Sequence, residues 1–284
     1  VSDRIDCSIA ALYLHPIKSC AGIAVDEALL IETGLQLDRA WMVVDADGGM
    51  LTQRDLPRMA LVRPTLRGDD MVLRAPGMLA LHVSLDAVEE PTRARVWNDE
   101  VKAYDMGNLA AQWFSDFLGR QLRLVRFDPE QKRLSDRKWT GELAAENAFS
   151  DGFPLLVASS ASLADLNQRL AARGHDAVAM ERFRPNLVLD GLHAFDEDQL
   201  DEISLAADGG PVRLKLVKPC ARCVMPNIDL QTAEVGHEPG DTLAGFRADA
   251  RVGGGITFGM NAVIVEGIDR VLRTGQTGTA SWGF

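Results

Sequence analysis

The stretch Lys215-Leu216-Val217-Lys218-Pro219-Cys220-Ala221-Arg222-Cys223-Val224-Met225-Pro226-Asn227-Ile228-Asp229 sets two thiols three residues apart beside a guanidinium. It continues directly from an alternating run, residues 212–217, that reads as a strand. Only four cysteines occur in 284 residues, and two of them are here. The C-x-x-C pair admits several chemistries. A structural zinc site needs four Cys or His ligands, yet Cys7 and Cys20 lie far upstream and the five histidines form no short-range couple. A thioredoxin-like dithiol needs the pair at a helix N-terminus, where the dipole lowers the first thiol's pKa; Pro226 follows too soon for that. Two half-buried thiols without a role are the third reading. Arg222 supplies the cation that favours a thiolate, the form that attacks electrophiles or binds metals, although surface ion pairing is the usual fate of an arginine.

Composition narrows the setting. Hydrophobic residues make up 46% and charged residues 25%, ordinary values for a globular protein with a real core. No apolar run approaches the ~20 residues of a membrane-spanning helix, so no membrane partner is expected. The opening residues, Val1-Ser2-Asp3-Arg4-Ile5-Asp6, show no export signal, and the scarcity of cysteine suits a reducing compartment, for which the cytoplasm is the expectation. A formal net charge of −11 argues against nucleic acid, whose affinity rests on basic patches, but permits a local basic pocket.

Read outward from the cysteines, the first half is short strands punctuated by turns. Residues 11–14, 23–31 and 40–45 are apolar runs, and Asp47-Gly48-Gly49, Gly68-Asp69-Asp70 and Asn98-Asp99 are hairpin signals. Residues 107–119 carry Leu109, Trp113, Phe114, Phe117 and Leu118 on one helical stripe, with Gly119 as the stop. Residues 162–172 predict a second helix, with Ser162 and Asp165 as a capping box and Gly174 beyond its end. Between them, residues 128–150 turn polar, with Lys132, Arg133, Asp136, Arg137 and Lys138 crowded together on what reads as a solvated linker or loop. The second half brings strands at 155–158, 186–190, 212–217 and 255–265. The Gly253-Gly254-Gly255 run lacks the G-x-G-x-x-G pattern, and no P-loop, G-x-S-x-G or H-E-x-x-H is present. The acidic pairs Glu89-Glu90 and Asp196-Glu197-Asp198 read as solvated turns.

These motifs, taken together and in order, resemble the MOSC family. Lys218-Pro219-Cys220-Ala221-Arg222-Cys223 through Asp229, with Phe183-Arg184-Pro185-Asn186 upstream, is similar to the core of a MOSC domain. His15-Pro16-Ile17-Lys18-Ser19, Asp38-Arg39-Ala40-Trp41 and Leu51-Thr52-Gln53-Arg54 resemble the N-terminal β-barrel domain that accompanies it, and Asp151-Gly152-Phe153-Pro154 continues the match. Within the family, the resemblance is to the amidoxime-reducing components and their bacterial counterparts. It implies an α+β, β-rich fold. A β-barrel-like domain, residues 1–127, packs on a MOSC β-barrel domain, residues 151–284, with a few peripheral helices.

The resemblance further implies a molybdenum cofactor, a phosphate-bearing pterin dithiolene, held between the two domains. Cys223 is then the metal ligand and Cys220 a bystander; a soft thiolate suits such a metal. Lys18, Arg39, Arg184 and Arg222 supply cationic donors. Ser19, Asn186, Asn261 and the backbone at Asp151, Gly152 and Phe153 are the candidate pterin contacts, while Ala221 offers no side-chain hydrogen bond at a position that varies in the family. Asp229 is a candidate proton donor beside the metal. The implied activity is reduction of N-hydroxylated compounds such as hydroxylamines, amidoximes and N-hydroxylated bases. The sequence has no ferredoxin-type cysteine spacing, so electrons are expected from a separate flavin or iron–sulfur protein. The competing expectation is a cofactor carrier or sulfur-transfer module without turnover.

Overall fold

The computed structural model describes residues 4–87 and 90–283. Its organising element is a closed barrel of seven strands. In order around the barrel they are Leu155–Ser159, Leu187–Asp190, Arg4–Leu14, Thr277–Trp282, Leu200–Ala207, Gly210–Ala221 and Gly255–Glu266, the last pairing back to the first. Only the Leu155–Ser159 and Leu187–Asp190 pair is parallel. Closure brings backbones close. A Cβ on Gly259, whose φ is +77°, would stand 2.7 Å from the Val157 carbonyl oxygen, so only glycine fits that crossing.

The first barrel strand shows how local sequence builds this wall. Cys7 and Ile9 point inward, then Leu12 and Leu14 do. A register shift between Ile9 and Ala11 moves the buried set from odd to even positions, as a single extra residue must in a two-residue repeat. The interior is aliphatic, with Ile9, Leu12, Val157, Leu189, Ile203 and Leu214 among its buried residues.

The remaining sheets are antiparallel. One has the order Trp41–Val44, Arg123–Phe127, Asp99–Asp105, Glu90–Val96; another pairs Arg63–Arg67, Asp70–Arg74 and Leu81–Ser84. The hairpin at Gly68-Asp69 is a two-residue turn, since Arg67 faces Asp70. In the next hairpin Val96 faces Asp99, so the turn residues are Trp97 and Asn98, one position earlier than the sequence signal. The run 23–31 divides into Ile23–Val25 and Glu27–Ile31, which join different sheets. The helix Gly107–Leu118 ends on Gly119 at φ 71°, and Trp113, Phe114 and Phe117 pack inward from it. Leu109 is 74% exposed; Ala110, one residue on, takes the core position instead.

Three further expectations change. The helix Ser160–Ala172 is capped by Ser159, whose side chain accepts the Ser162 amide. Ser162 is thus freed to donate its hydroxyl to Glu197 at 2.7 Å and accept the Phe195 amide. The Asp196-Glu197-Asp198 run is no solvated turn: Glu197 and Asp198 are buried, Asp198 against Arg247 at 2.6 Å. Residues 128–150 are packed rather than a loose linker. Buried Arg133 donates to Asp99 and to the Ala148 and Ser150 carbonyls, and Phe149 is fully buried, edge-on to Phe127. Glu89 lies outside the described residues.

Candidate functional site

The strands converge on a cleft lined from both halves of the chain. Its buried end begins where Arg4–Leu14 leaves the barrel. Lys18 follows a bridge between Ile17 and Trp41, which turns its side chain inward. The Lys18 ammonium is buried; it donates to the Phe149 carbonyl at 2.8 Å and to Asp151 at 2.5 Å. Burial lowers its pKa, and Asp151 opposes that shift. Arg39 donates to Asp38 at 2.5 Å, to the Asn186 side chain at 3.0 Å and to the Arg184 carbonyl at 3.0 Å. Arg184 itself reaches the Cys20 carbonyl, while its Nη2 is buried without a protein partner. Burial first, and Arg39 second, push the Arg184 pKa down to about 10, so it keeps its charge at neutral pH.

The backbone here is unusual. Ser19, Arg39 and Arg184 have φ of 65°, 48° and 58°, a left-handed region that non-glycine residues occupy at a cost. Such conformations persist only where surrounding contacts over-determine them, and here they aim three side chains into one space. His15 braces the same corner. It is fully buried and near Arg184 and Arg39; burial, then those two cations, hold its pKa well below the usual histidine value. Its amide donates to Asp38 and its Nε2 lies 3.1 Å from the Pro185 carbonyl oxygen. Gly22 makes room for the ring, since a Cβ there would come within 2.6 Å of it.

At the other end stands the Cys-x-x-Cys turn. Cys223 is exposed and Cys220 half-buried. The guanidinium of Arg222 does not turn to Cys223. It donates to the Cys220 sulfur at 2.9 Å and to the Phe183 carbonyl at 2.9 Å, and its Nε is buried without a partner. The ring of Phe183 beneath it stacks on Phe258, centroids 3.9 Å apart. The expected cation beside a sulfur therefore exists, on the cysteine that the resemblance treats as the bystander.

Every candidate cofactor residue lies on this cleft, and so do Thr52, Arg54, Leu155, Leu156 and Met225. Arg54 is the basic cleft residue that sequence reasoning misses; its side chain within Leu51-Thr52-Gln53-Arg54 is the only signal for it. Asn186 is fully committed: its Oδ1 accepts from Arg39 and the Leu156 amide, and its Nδ2 donates to the Tyr13 carbonyl. It clamps the two halves together. Asn261 donates to the Lys218 carbonyl and faces the cleft.

Asp229 stands apart from the other candidates. It does not line the cleft. One carboxylate oxygen accepts the Gln231 and Thr232 amides and the other meets Arg182 at 2.9 Å. Those backbone amides, with Arg182, hold its pKa below the ordinary carboxylate value, and the side chain caps its own turn.

Among the described residues, the lining carries five cations (Lys18, Arg39, Arg54, Arg184, Arg222) and one carboxylate, Asp151, in a chain of net charge −11. Among the described residues no three Cys, His, Asp or Glu side chains converge as a metal cage. The set suits a metal already chelated by an anionic organic ligand. The unpartnered nitrogens of Arg184 and Arg222 await acceptors, the cations match a phosphate, and one accessible thiol is available to a soft metal.

Comparison with known proteins agrees with this layout. The MOSC N-terminal beta barrel domain matches residues 7–121 and the MOSC domain matches residues 144–278. Mitochondrial amidoxime reducing component 2 of Rattus norvegicus is 37% identical over 252 residues, covering 84% of this chain and 72% of that protein. The human mitochondrial amidoxime-reducing component 1 is 35% identical, with the same coverage of both. Human molybdenum cofactor sulfurase is 34% identical over 80% of this chain, which spans 27% of that longer protein. The mitochondrial names overturn the cytoplasmic placement expected from cysteine usage. Scarce cysteine reports a reducing setting and does not say which compartment provides it.

Proposed function

The chain belongs to the MOSC family, and from that premise we propose that it is a molybdenum-cofactor-dependent oxidoreductase that reduces N-hydroxylated compounds. Relatives named for amidoxime reduction support the substrate class. The observation that carries the reading is the pairing of a cationic, over-determined buried end with a single exposed thiol at the other end of one cleft.

Lys18, Arg39 and Arg184 would hold the phosphate and fix the ligand's depth. Ser19, Asp151, Gly152, Phe153 and Asn261 would meet the pterin. Cys223 would be the protein's ligand to the metal. The cofactor, when bound, supplies the electron store and the oxygen-accepting centre that cleavage of an N–O bond requires. The chain's own work is orientation and charge: Arg222 ties Cys220 to the Phe183 backbone, which fixes the turn that presents Cys223. Cys223 is open to solvent, so protons reach the reacting end from water and no side-chain acid is called for. A separate flavin or iron–sulfur protein would deliver the electrons at the same exposed face.

The test is molybdenum and pterin analysis of protein made in a molybdenum-competent host, followed by turnover of benzamidoxime with reduced viologen. Bound cofactor with rapid formation of benzamidine is the expected result. Bound cofactor with no turnover of any N-hydroxylated compound would establish the carrier role instead.

A further inference from the structure

A second cleft of about 570 Å³ adjoins the first and shares Asp151, Gly152, Phe153, Cys220, Ala221 and Asn261 with it. Its distinctive walls are aromatic. Trp97 stands at a hairpin tip with φ 54°, its indole N–H 3.3 Å from Asp151 and its ring under the Arg54 guanidinium. Trp139 comes from the short helix Arg137–Thr140, and Phe153 from the loop before the barrel strand Leu155–Ser159. The ammonium of Lys218 lies 5.2 Å from the Trp139 ring centroid and 5.7 Å from that of Phe153. Bulges on either side of Lys218 interrupt the pairing of Gly210–Ala221 with Gly255–Glu266, a device that re-aims a strand side chain.

The charges are informative because Lys218 is the one cation of this lining, among the described residues, without a carboxylate partner. Asp99 meets Arg133 at 2.7 Å, Asp151 meets Lys18, and Asp136 accepts the Lys138 amide. Lys218 forms no ion pair among the described residues; it has only the two ring faces. A cation held by aromatic rings, beside flat apolar surface and next to the reacting end, asks for a flat ligand that brings its own negative charge.

We infer that this second cleft is the substrate's recognition site, and that it selects conjugated, planar N-hydroxylated compounds bearing an acidic substituent. The ring lies against Trp139 and Phe153, the acid meets Lys218, and the N-hydroxyl group points through the shared wall toward Cys223. The inference rests on the proposed function for its reacting group, but the recognition of an aryl acid is separable from turnover.

Two measurements separate them. Steady-state reduction of 4-carboxybenzamidoxime and of benzamidoxime is compared in the wild type and in Lys218→Gln, Lys218→Arg and Trp139→Ala. A charge-assisted contact should give the acid about a 10-fold lower KM. That ratio should fall to about one in Lys218→Gln, be restored in Lys218→Arg, and survive in Trp139→Ala while both KM values rise. Calorimetric binding of 4-carboxybenzamidine is measured in parallel on the same proteins. Binding that depends on Lys218 in a protein that reduces nothing would sink the proposed function and leave this inference standing. Turnover of both amidoximes with equal KM, unchanged by Lys218→Gln, would overturn it and leave the function intact.

Discussion

The two ends of the main cleft obey opposite rules. At the buried end, Lys18, Arg39, Asn186 and His15 are locked by contacts from both halves of the chain, and three residues hold left-handed backbone to make that possible. At the other end, Cys223 is exposed beside Val224, itself 53% exposed, and no side chain grips its sulfur among the described contacts. Rigid charge belongs where a ligand is to be held in one pose. On the proposed reading, an unencumbered thiol belongs where a metal and a substrate have to meet. A second buried-charge site sharpens the lesson. Glu197 has an unpartnered carboxylate oxygen away from the cleft, and burial raises its pKa to about 7, so it escapes its cost by taking a proton. Arg184, at about 10, has no such escape and keeps its charge with one buried nitrogen unpartnered.

The largest expected effect tests the exposed end. Cys223→Ser should abolish turnover, with a loss of at least ~100-fold in kcat for removal of a group that acts only at the reacting centre, while pterin content is retained. Turnover within a few-fold of wild type would break the distinction between the ends. At the buried end, Arg39→Ala strands the buried Asp38 carboxylate and should cost about 3–5 kcal/mol in denaturant unfolding; a cost below 1 kcal/mol would show that the corner is not over-determined.

Glu197 gives the next effect. Its folded pKa lies above the ordinary carboxylate value of the unfolded chain, so the native state holds the extra proton. Its own contribution to stability is then greatest below about pH 4.5, declines toward pH 7 and is flat beyond, by roughly 3 kcal/mol in all for the shift from 4.5 to about 7. Glu197→Gln should flatten most of that slope in urea melts taken across pH 4.5–8. Asp198, also raised by burial, leaves a remainder at the acid end. An unchanged slope would remove the contrast with Arg184. The smallest effect belongs to Cys220→Ser: Arg222 keeps the Phe183 carbonyl, and activity should fall only about 2–5-fold, the worth of one modest hydrogen bond. A loss as complete as that of Cys223→Ser would mean that both thiols act together, as in a dithiol.

What could be read in advance was local. The Gly68-Asp69 hairpin and the Gly119 stop each depend on a few neighbouring residues, and both stand as expected. The helix starts earlier than its sequence signal because Ser159 and Ser162 are equally good caps by composition, and only the buried Glu197 decides that Ser162 is needed elsewhere. The Asp196-Glu197-Asp198 run looked solvated because acidity is visible in a sequence while the Ser162 and Arg247 facing it are not.

The sequence by itself determined the strand-rich class and the motif order, because alternation, turns and motifs are properties of short segments; the expected cofactor residues came with the family resemblance those motifs carry. Tertiary structure alone decided the rest. Barrel closure pairs Arg4–Leu14 with Leu187–Asp190 and Thr277–Trp282 across most of the chain, and no local pattern encodes that register. The same closure decides which sulfur Arg222 touches and which carboxylates are already spent. The Cys-x-x-Cys stretch thus ends as two unlike thiols, one tied to the wall and one left open, a difference that spacing cannot express because it is made by Phe183, some forty residues away in sequence.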